Sequence, residues 1–183
     1  MLGSFRNLEE LSLRSITLPD RSILTSLDEL RSLKLKLGGT NDQTLLPRIG
    51  KLEHLEIWQV RGLVVLSPIG DLERLRYLFL ETLSRVEKLP DFGGTPEPER
   101  PHTEGLKGPT SITAIANAPN IRDLMLDVPQ LRIDDIACLV DHPTISAASI
   151  GLGSVKRNDE AREVMGLPDV SDYKPAWRDV CDT

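Results

Sequence analysis

The stretch Leu52-Glu-His-Leu55-Glu-Ile57 decides the reading, because its spacing recurs on both sides of it. Residues 8–13 read LEELSL, residues 30–35 LRSLKL and residues 75–80 LRYLFL. An apolar residue stands at the first, fourth and sixth place each time, and the starts lie 22, 22 and 23 residues apart. Two weaker copies follow, Ile121-x-x-Leu124-x-Leu126 and Ile145-x-x-Ala148-x-Ile150. Their starts are 24 residues apart, and the first lies 46 residues beyond Leu75, which leaves room for one more copy between them. Six and three residues before the starts stand Leu2/Phe5, Leu24/Leu27, Leu46/Ile49, Ile69/Leu72, Ile115/Ala118 and Leu139/His142. An i, i+3 approach predicts a helical or 3₁₀ return, and the alternation after it predicts a short strand. One strand and one return per 22–24 residues is a unit that buries its apolar side by stacking on its neighbours.

Composition agrees with a stacked repeat. Of 183 residues 30 are leucine, 23 of them within residues 1–90, while aromatic residues are only 4%. Acids outnumber bases 28 to 22, for a net charge of −6. That excludes broad nucleic-acid binding, which needs a dense basic surface. No apolar run approaches the roughly 20 residues that span a bilayer, so no membrane role is expected. The opening MLGSFRNLEELSLRS has neither the basic head nor the apolar run of a signal peptide. Two cysteines, Cys138 and Cys181, do not make a disulfide framework and predict a reducing, cytoplasmic setting.

The segments LEELSL, LRSLKL, LEHLEI and LRYLFL resemble the LxxLxL motif of the leucine-rich repeat superfamily. LSPIGDLERL and ITAIANAPNI resemble the return half of bacterial repeats of the internalin sort, and the likeness covers residues 2 to about 152. It implies an α/β fold: a right-handed β-α solenoid with a curved parallel sheet of about six or seven short strands and helical or 3₁₀ returns. It says little about activity, because one fold carries many functions. One departure stands out. The family places Asn three residues after the last motif Leu; here that place holds Ile16, Gly38, Val60, Leu83, Leu106, Pro129 and Gly153. The turns must then satisfy their backbone groups in another way.

The array is expected over residues 1–153. Its missing slot would start at Pro98-x-x-Pro101-x-Thr103. Proline lacks an N–H and disfavours a central strand, so 93–111 reads as an irregular rung or as an inserted loop. The preserved spacing favours the rung. No capping segment precedes Leu2 and Phe5, so the N-terminal edge is expected to be open and to offer a route to self-association. Residues 154–183 read as a C-terminal helical cap and tail. Asn158 or Asp159 would be the N-cap, Gly166 and Pro168 the stop, and Val164, Met165 and Leu167 the packing face. Tyr173 and Trp177 would anchor the tail.

No nucleophile, zinc, Walker or calcium signature is present, and GLGSVK at 151–156 has only part of a phosphate loop. No enzyme and no cofactor are expected. Asp134 and Asp135 read as solvated surface. Cys138 reads as a small core residue and His142 as a structural one. His54 and His102, two rungs apart, lie about 9–10 Å from each other, too far to share a metal.

The strand residues between the core positions carry the functional expectation. Because strand side chains alternate, they project onto the concave face. Rung by rung they are Glu10/Ser12/Arg14, Ser32/Lys34/Lys36, His54/Glu56/Trp58, Tyr77/Phe79/Glu81, Arg100/His102/Glu104, Asp123/Met125/Asp127 and Ala147/Ser149/Gly151. Three of the chain's seven aromatics, Trp58, Tyr77 and Phe79, fall on two adjacent rungs, with His54 and Met125 close by. Lys34 and Lys36 stand to one side. Aromatic residues at the centre with charge at the rim are the make-up of a protein-binding hot spot. The expected function is a non-catalytic scaffold that binds a protein through this face. The alternative is a structural segment of a larger assembly that docks through its N-terminal edge.

Overall fold

A computed structural model describes residues 7–39, 41–93 and 98–170. Among them seven strands form one curved sheet in chain order, and every pair is parallel. The strands are β1 (Glu10–Arg14), β2 (Ser32–Lys36), β3 (His54–Trp58), β4 (Tyr77–Glu81), β5 (Arg100–Glu104), β6 (Asp123–Asp127) and β7 (Ala147–Gly151). 3₁₀ turns at Arg21–Ser26, Leu46–Arg48, Ser67–Asp71 and Ile133–Leu139, and the single helical turn α1 (Thr113–Ala116), carry the chain back to the start of the next strand.

The repeat period sets the register. Leu11, Leu33, Leu55, Leu78 and Pro101 lie side by side, as do Leu13, Leu35, Ile57, Leu80, Thr103, Leu126 and Ile150. Together with the return residues they form one continuous core. Burying each such leucine contributes about 1.5–3 kcal/mol. Leu11 alone of the fourth-place leucines is only half-buried, because among the described residues β1 has a neighbouring strand on one side only.

Residues 100–104 are the fifth strand and not a linker, paired with β4 across all five positions. Backbone direction explains how a proline is tolerated. The Arg100 N–H donates to Arg76 O, back toward β4. By alternation the N–H that Pro101 lacks would have faced β6. The loss therefore falls on the β5–β6 ladder, where only His102↔Met125 and Thr103↔Leu126 are in register, against five pairs in every other ladder. Side chains replace part of what is missing: Asp127 N–H donates to Thr103 Oγ1, and Gly105 N–H to Asp127 Oδ2. Pro98 and Pro101 are buried, and Phe92, six residues before Pro98 and fully buried, fills the space that leucines occupy elsewhere.

The turns that lack asparagine are built on left-handed backbone. Ser15, Leu37, Gln59 and Thr82, each just past its strand, have φ of 57, 58, 49 and 49°, and Gly105 has 61°. The N–H of each of the first four then donates to the last strand residue of the next rung, Lys36, Trp58, Glu81 and Glu104, at 2.7–2.9 Å. This main-chain link does the work of the missing side-chain amide.

The last helix, α2 (Val155–Met165), packs on β7. Its N-cap is Ser154, whose Oγ accepts from Arg157 N–H, and not Asn158 or Asp159. Asn158 Oδ1 instead accepts the Leu152 N–H at 2.7 Å. Gly166, at φ 62°, ends the helix. Ala161 and Met165 face the core, whereas Val164 is exposed. The chain then turns back along the outer edge of β7, where Pro168 O accepts the Ala148 N–H and Ser149 Oγ accepts the Val170 N–H. Tyr173 and Trp177, the expected anchors, lie outside the described residues.

Candidate functional site

The register turns the concave residues into three columns running across the sheet. In the first, Ser32 Oγ lies 3.0 Å from His54 Nδ1, and the His54 ring stacks on Tyr77 with centroids 4.7 Å apart and planes 5° apart. Further along, Arg100 and Asp123 form an ion pair, with Nε 2.9 Å from Oδ2. In the middle column, Phe79 meets His102 edge to face at 4.8 Å, and His102 is in register with Met125. In the third, the Arg14 guanidinium and the Lys36 ammonium stand 5.4 and 5.8 Å from the centre of the Trp58 ring. Cations over an indole face gain about 0.5–1 kcal/mol each where water still reaches them.

The third column is also polar along its length. It begins with Arg14 and Lys36, passes Trp58, and continues through Glu81, Glu104 and Asp127. Most cations on the face hold a carboxylate on it as well. Lys34 Nζ is 2.7 Å from Glu10 Oε1, and Lys36 Nζ is 2.7 Å from Glu56 Oε2. At the strand entrances a further column alternates in sign: Glu9, Arg31, Glu53, Arg76, Glu99 and Arg122. Arg31 makes two bonds to Glu53, and Arg76 pairs with Glu99. This alternation stands one place after each repeat start, where no apolar periodicity marks it.

The expected site residues do share one face, but their exposure differs from expectation. His54, Tyr77 and Phe79 are buried, at 0%, 3% and 5% exposed, and the two rings form an apolar pair separate from the main core. Alternation placed them on the concave side and gave no information on what covers them. Trp58, Met125, Lys34 and Lys36 are half-buried. Trp58 Nε1 is shielded from water and has no hydrogen-bond partner among the described residues.

Burial pushes the His54 imidazole down from 6.5 to about 4; the Glu56 carboxylate, 3.4 Å from Nε2, opposes this only in part. His54 is therefore neutral at neutral pH, with Ser32 holding its Nδ1 side. Cys138, expected in the core, is exposed. In a 3₁₀ turn of three residues Ile136 and Leu139 point inward, which leaves 137 and 138 outside. His142 Nε2 lies 3.2 Å from Ala116 O on the return side. Among the described residues no cluster of three or more His, Cys, Asp or Glu is placed to hold a metal ion. No helix among them is long and apolar enough to cross a membrane.

Seven parallel rungs, each a short strand and a tight return around a ladder of leucines, define a leucine-rich repeat solenoid. A solved structure agrees with that class. Internalin C2 from Listeria monocytogenes superimposes with a TM-score of 0.54 at 16% identity, over 92% of this chain and 84% of that one. A second Listeria monocytogenes internalin, inlF, gives 0.48 at 14% identity, over 96% of this chain and 57% of that one. No protein-family model matches the sequence, and comparison with curated protein sequences finds no match.

Proposed function

We propose that the chain is a non-catalytic scaffold that binds a partner protein through its concave face. The observation that carries this reading is Trp58. It is a half-buried indole in the third column of the face, at the end of β3, with an Nε1 donor that has no acceptor among the described residues, flanked by Arg14 and Lys36. A donor of that kind gains from an incoming acceptor, and indoles dominate measured interface energies. Lys34 and Lys36 would steer an acidic rim of the partner. Met125 and the rings of His54, Tyr77 and Phe79 would form the floor. The mixture of charges on the face, most of them paired, does not favour a nucleic acid. Exposed Cys138 supports a reducing, cytoplasmic compartment.

The test is a binding series with a recovered partner. Trp58→Ala should weaken binding by about 2 kcal/mol or more, and Lys34→Ala should chiefly slow association and flatten its salt dependence. Full binding by Trp58→Ala would remove the concave face from consideration. A second reading, docking through the N-terminal edge, draws on half-buried Leu11 at the outermost strand. It predicts self-association that rises with concentration and is lost in Leu11→Lys.

A further inference from the structure

We propose that two copies of this chain join edge to edge through β1, antiparallel about a two-fold axis at Ser12, so that their sheets run on as one. This rests on the second reading above, in which the N-terminal edge is the contact surface, and it names what that edge takes: a second copy, in one register. It is independent of any partner on the concave face.

The direction of the main chain is the first argument. Ser32 N–H donates to Glu9 O, toward β1, and Glu10 is the residue in register with Ser32. Alternation then turns the N–H and C=O groups of Glu10, Ser12 and Arg14 to the outer side of β1, away from β2. All three residues are exposed, and among the described residues no strand lies beyond them. Natural sheet edges are blunted by proline, by bulges or by cover. β1 contains no proline and matches β2 at all five places without a bulge.

Self-complementarity is the second argument. In an antiparallel pair centred on Ser12, Glu10 stands opposite Arg14 of the second copy on both sides of the axis, and Leu11 stands opposite its Leu13. The outward groups belong to the even-numbered residues, so Ser12 with Ser12 and Glu10 with Arg14 are pairs of the kind that exchange both N–H···O bonds. Opposite charges directly across such a pair stabilise it, and like charges oppose it. Glu10 Oε1 already holds Lys34, yet a carboxylate has acceptor positions to spare. On the core side the end of the stack is apolar and uncovered. Leu11 is half-buried, and Ile16 is 47% exposed, although its in-phase counterparts Val60, Leu83 and Leu106 are buried.

Closure is the third. The two ends of the sheet are unlike, because Pro168 O takes the Ala148 N–H on the outer edge of β7 and α2 packs on that strand. A head-to-tail stack of β1 on β7 is thereby obstructed, and an assembly through β1 closes at two.

Sedimentation equilibrium of the full chain should show the mass rising with concentration from one chain to two, and no further. Glu10→Arg should weaken the dimer about tenfold, since the symmetry counts each lost pair twice, and Glu10→Arg/Arg14→Glu should restore it. Ser12→Pro removes an N–H that faces away from β2, so the dimer should be lost while circular dichroism stays unchanged. In a Cys138→Ser/Cys181→Ser background, Ser12→Cys should give a covalent dimer with oxidised glutathione, because its two Cα atoms lie about 5.5 Å apart across the axis. Ser67→Cys, exposed on the return side, should do so far more slowly. A chain that stays single through the millimolar range overturns both this proposal and the edge reading. Association that is lost in Leu11→Lys, yet shows equal crosslinking at the two positions or no rescue by the double exchange, overturns the two-fold pairing and leaves the edge reading standing.

Discussion

Acid should weaken this protein through one side chain. His54 is wholly buried, bonded at Nδ1 to Ser32 and stacked on Tyr77, and its folded-state pKa lies near 4 against 6.5 when unfolded. Between those values the unfolded chain takes up a proton that the folded chain refuses, so stability is complete above pH 6.5 and is lost as pH falls toward 4. The whole effect amounts to about 3 kcal/mol, at 1.36 kcal/mol for each tenfold change in proton affinity. At pH 5 about 2 kcal/mol of it should already be gone. Lys34 and Lys36 add to the depression, while Glu56 and Glu10 resist it. The assay is urea unfolding of wild type and His54→Gln at pH 8 and pH 5. Glutamine has an amide that still reaches Ser32 but takes up no proton, and the carboxylates titrate alike in both proteins. Wild type should lose about 2 kcal/mol more than the variant between the two pH values. If both lose the same amount, the ring is reached by water and the account of the first column is wrong.

Three further perturbations probe the frame of the face. Phe92→Ala should cost about 3–5 kcal/mol in urea unfolding, because it empties the core behind the proline rung; a loss below that of an exposed site would show that the ring does not fill the slot. Restoring leucine at Pro98, Pro101 and Thr103 together should lower the unfolding midpoint by overpacking against Phe92, and adding Phe92→Ala should recover part of the loss. Thr82→Asn should raise stability by about 1 kcal/mol, since a β-branched residue is held at φ 49° where asparagine sits more easily. A fall in the midpoint would mean that the threonine side chain makes a contact worth more than the strain.

Strand positions were legible because LxxLxL is a one-dimensional rule: spacing alone fixes which residues point inward and which rung they join. It told the side on which Tyr77 and Phe79 stand, but exposure depends on packing across rungs, as where Val170 borders the same small cavity as Tyr77, and no local spacing encodes it. The proline rung looked worse than it is, since a missing N–H is directional and Pro101 directs its loss at one neighbour only. Phe92 was in phase all along, six residues before Pro98, but it lacked a three-residue companion and so did not register as part of a return. The N-cap fell to Ser154 because Asn158 is drawn to the Leu152 N–H. The left-handed turns carry Ser, Leu, Gln and Thr, none of which announces a positive φ.

The short β5–β6 ladder has a consequence for how the molecule comes apart. In a stack where each layer touches only its neighbours, cohesion is a chain of local couplings, and the whole is as cooperative as its weakest joint. Here that joint holds two registered backbone pairs and leans on the Thr103 hydroxyl and the Asp127 carboxylate. The joint between the first five rungs and the last two with α2 is thus where the array is expected to part first, although the core and the Glu99–Asp123 and Leu106–Asp127 backbone bonds run across it. Mild denaturant should part them there before either block melts, exposing the flanks of His102 and Met125 while the leucine ladder on each side stays intact.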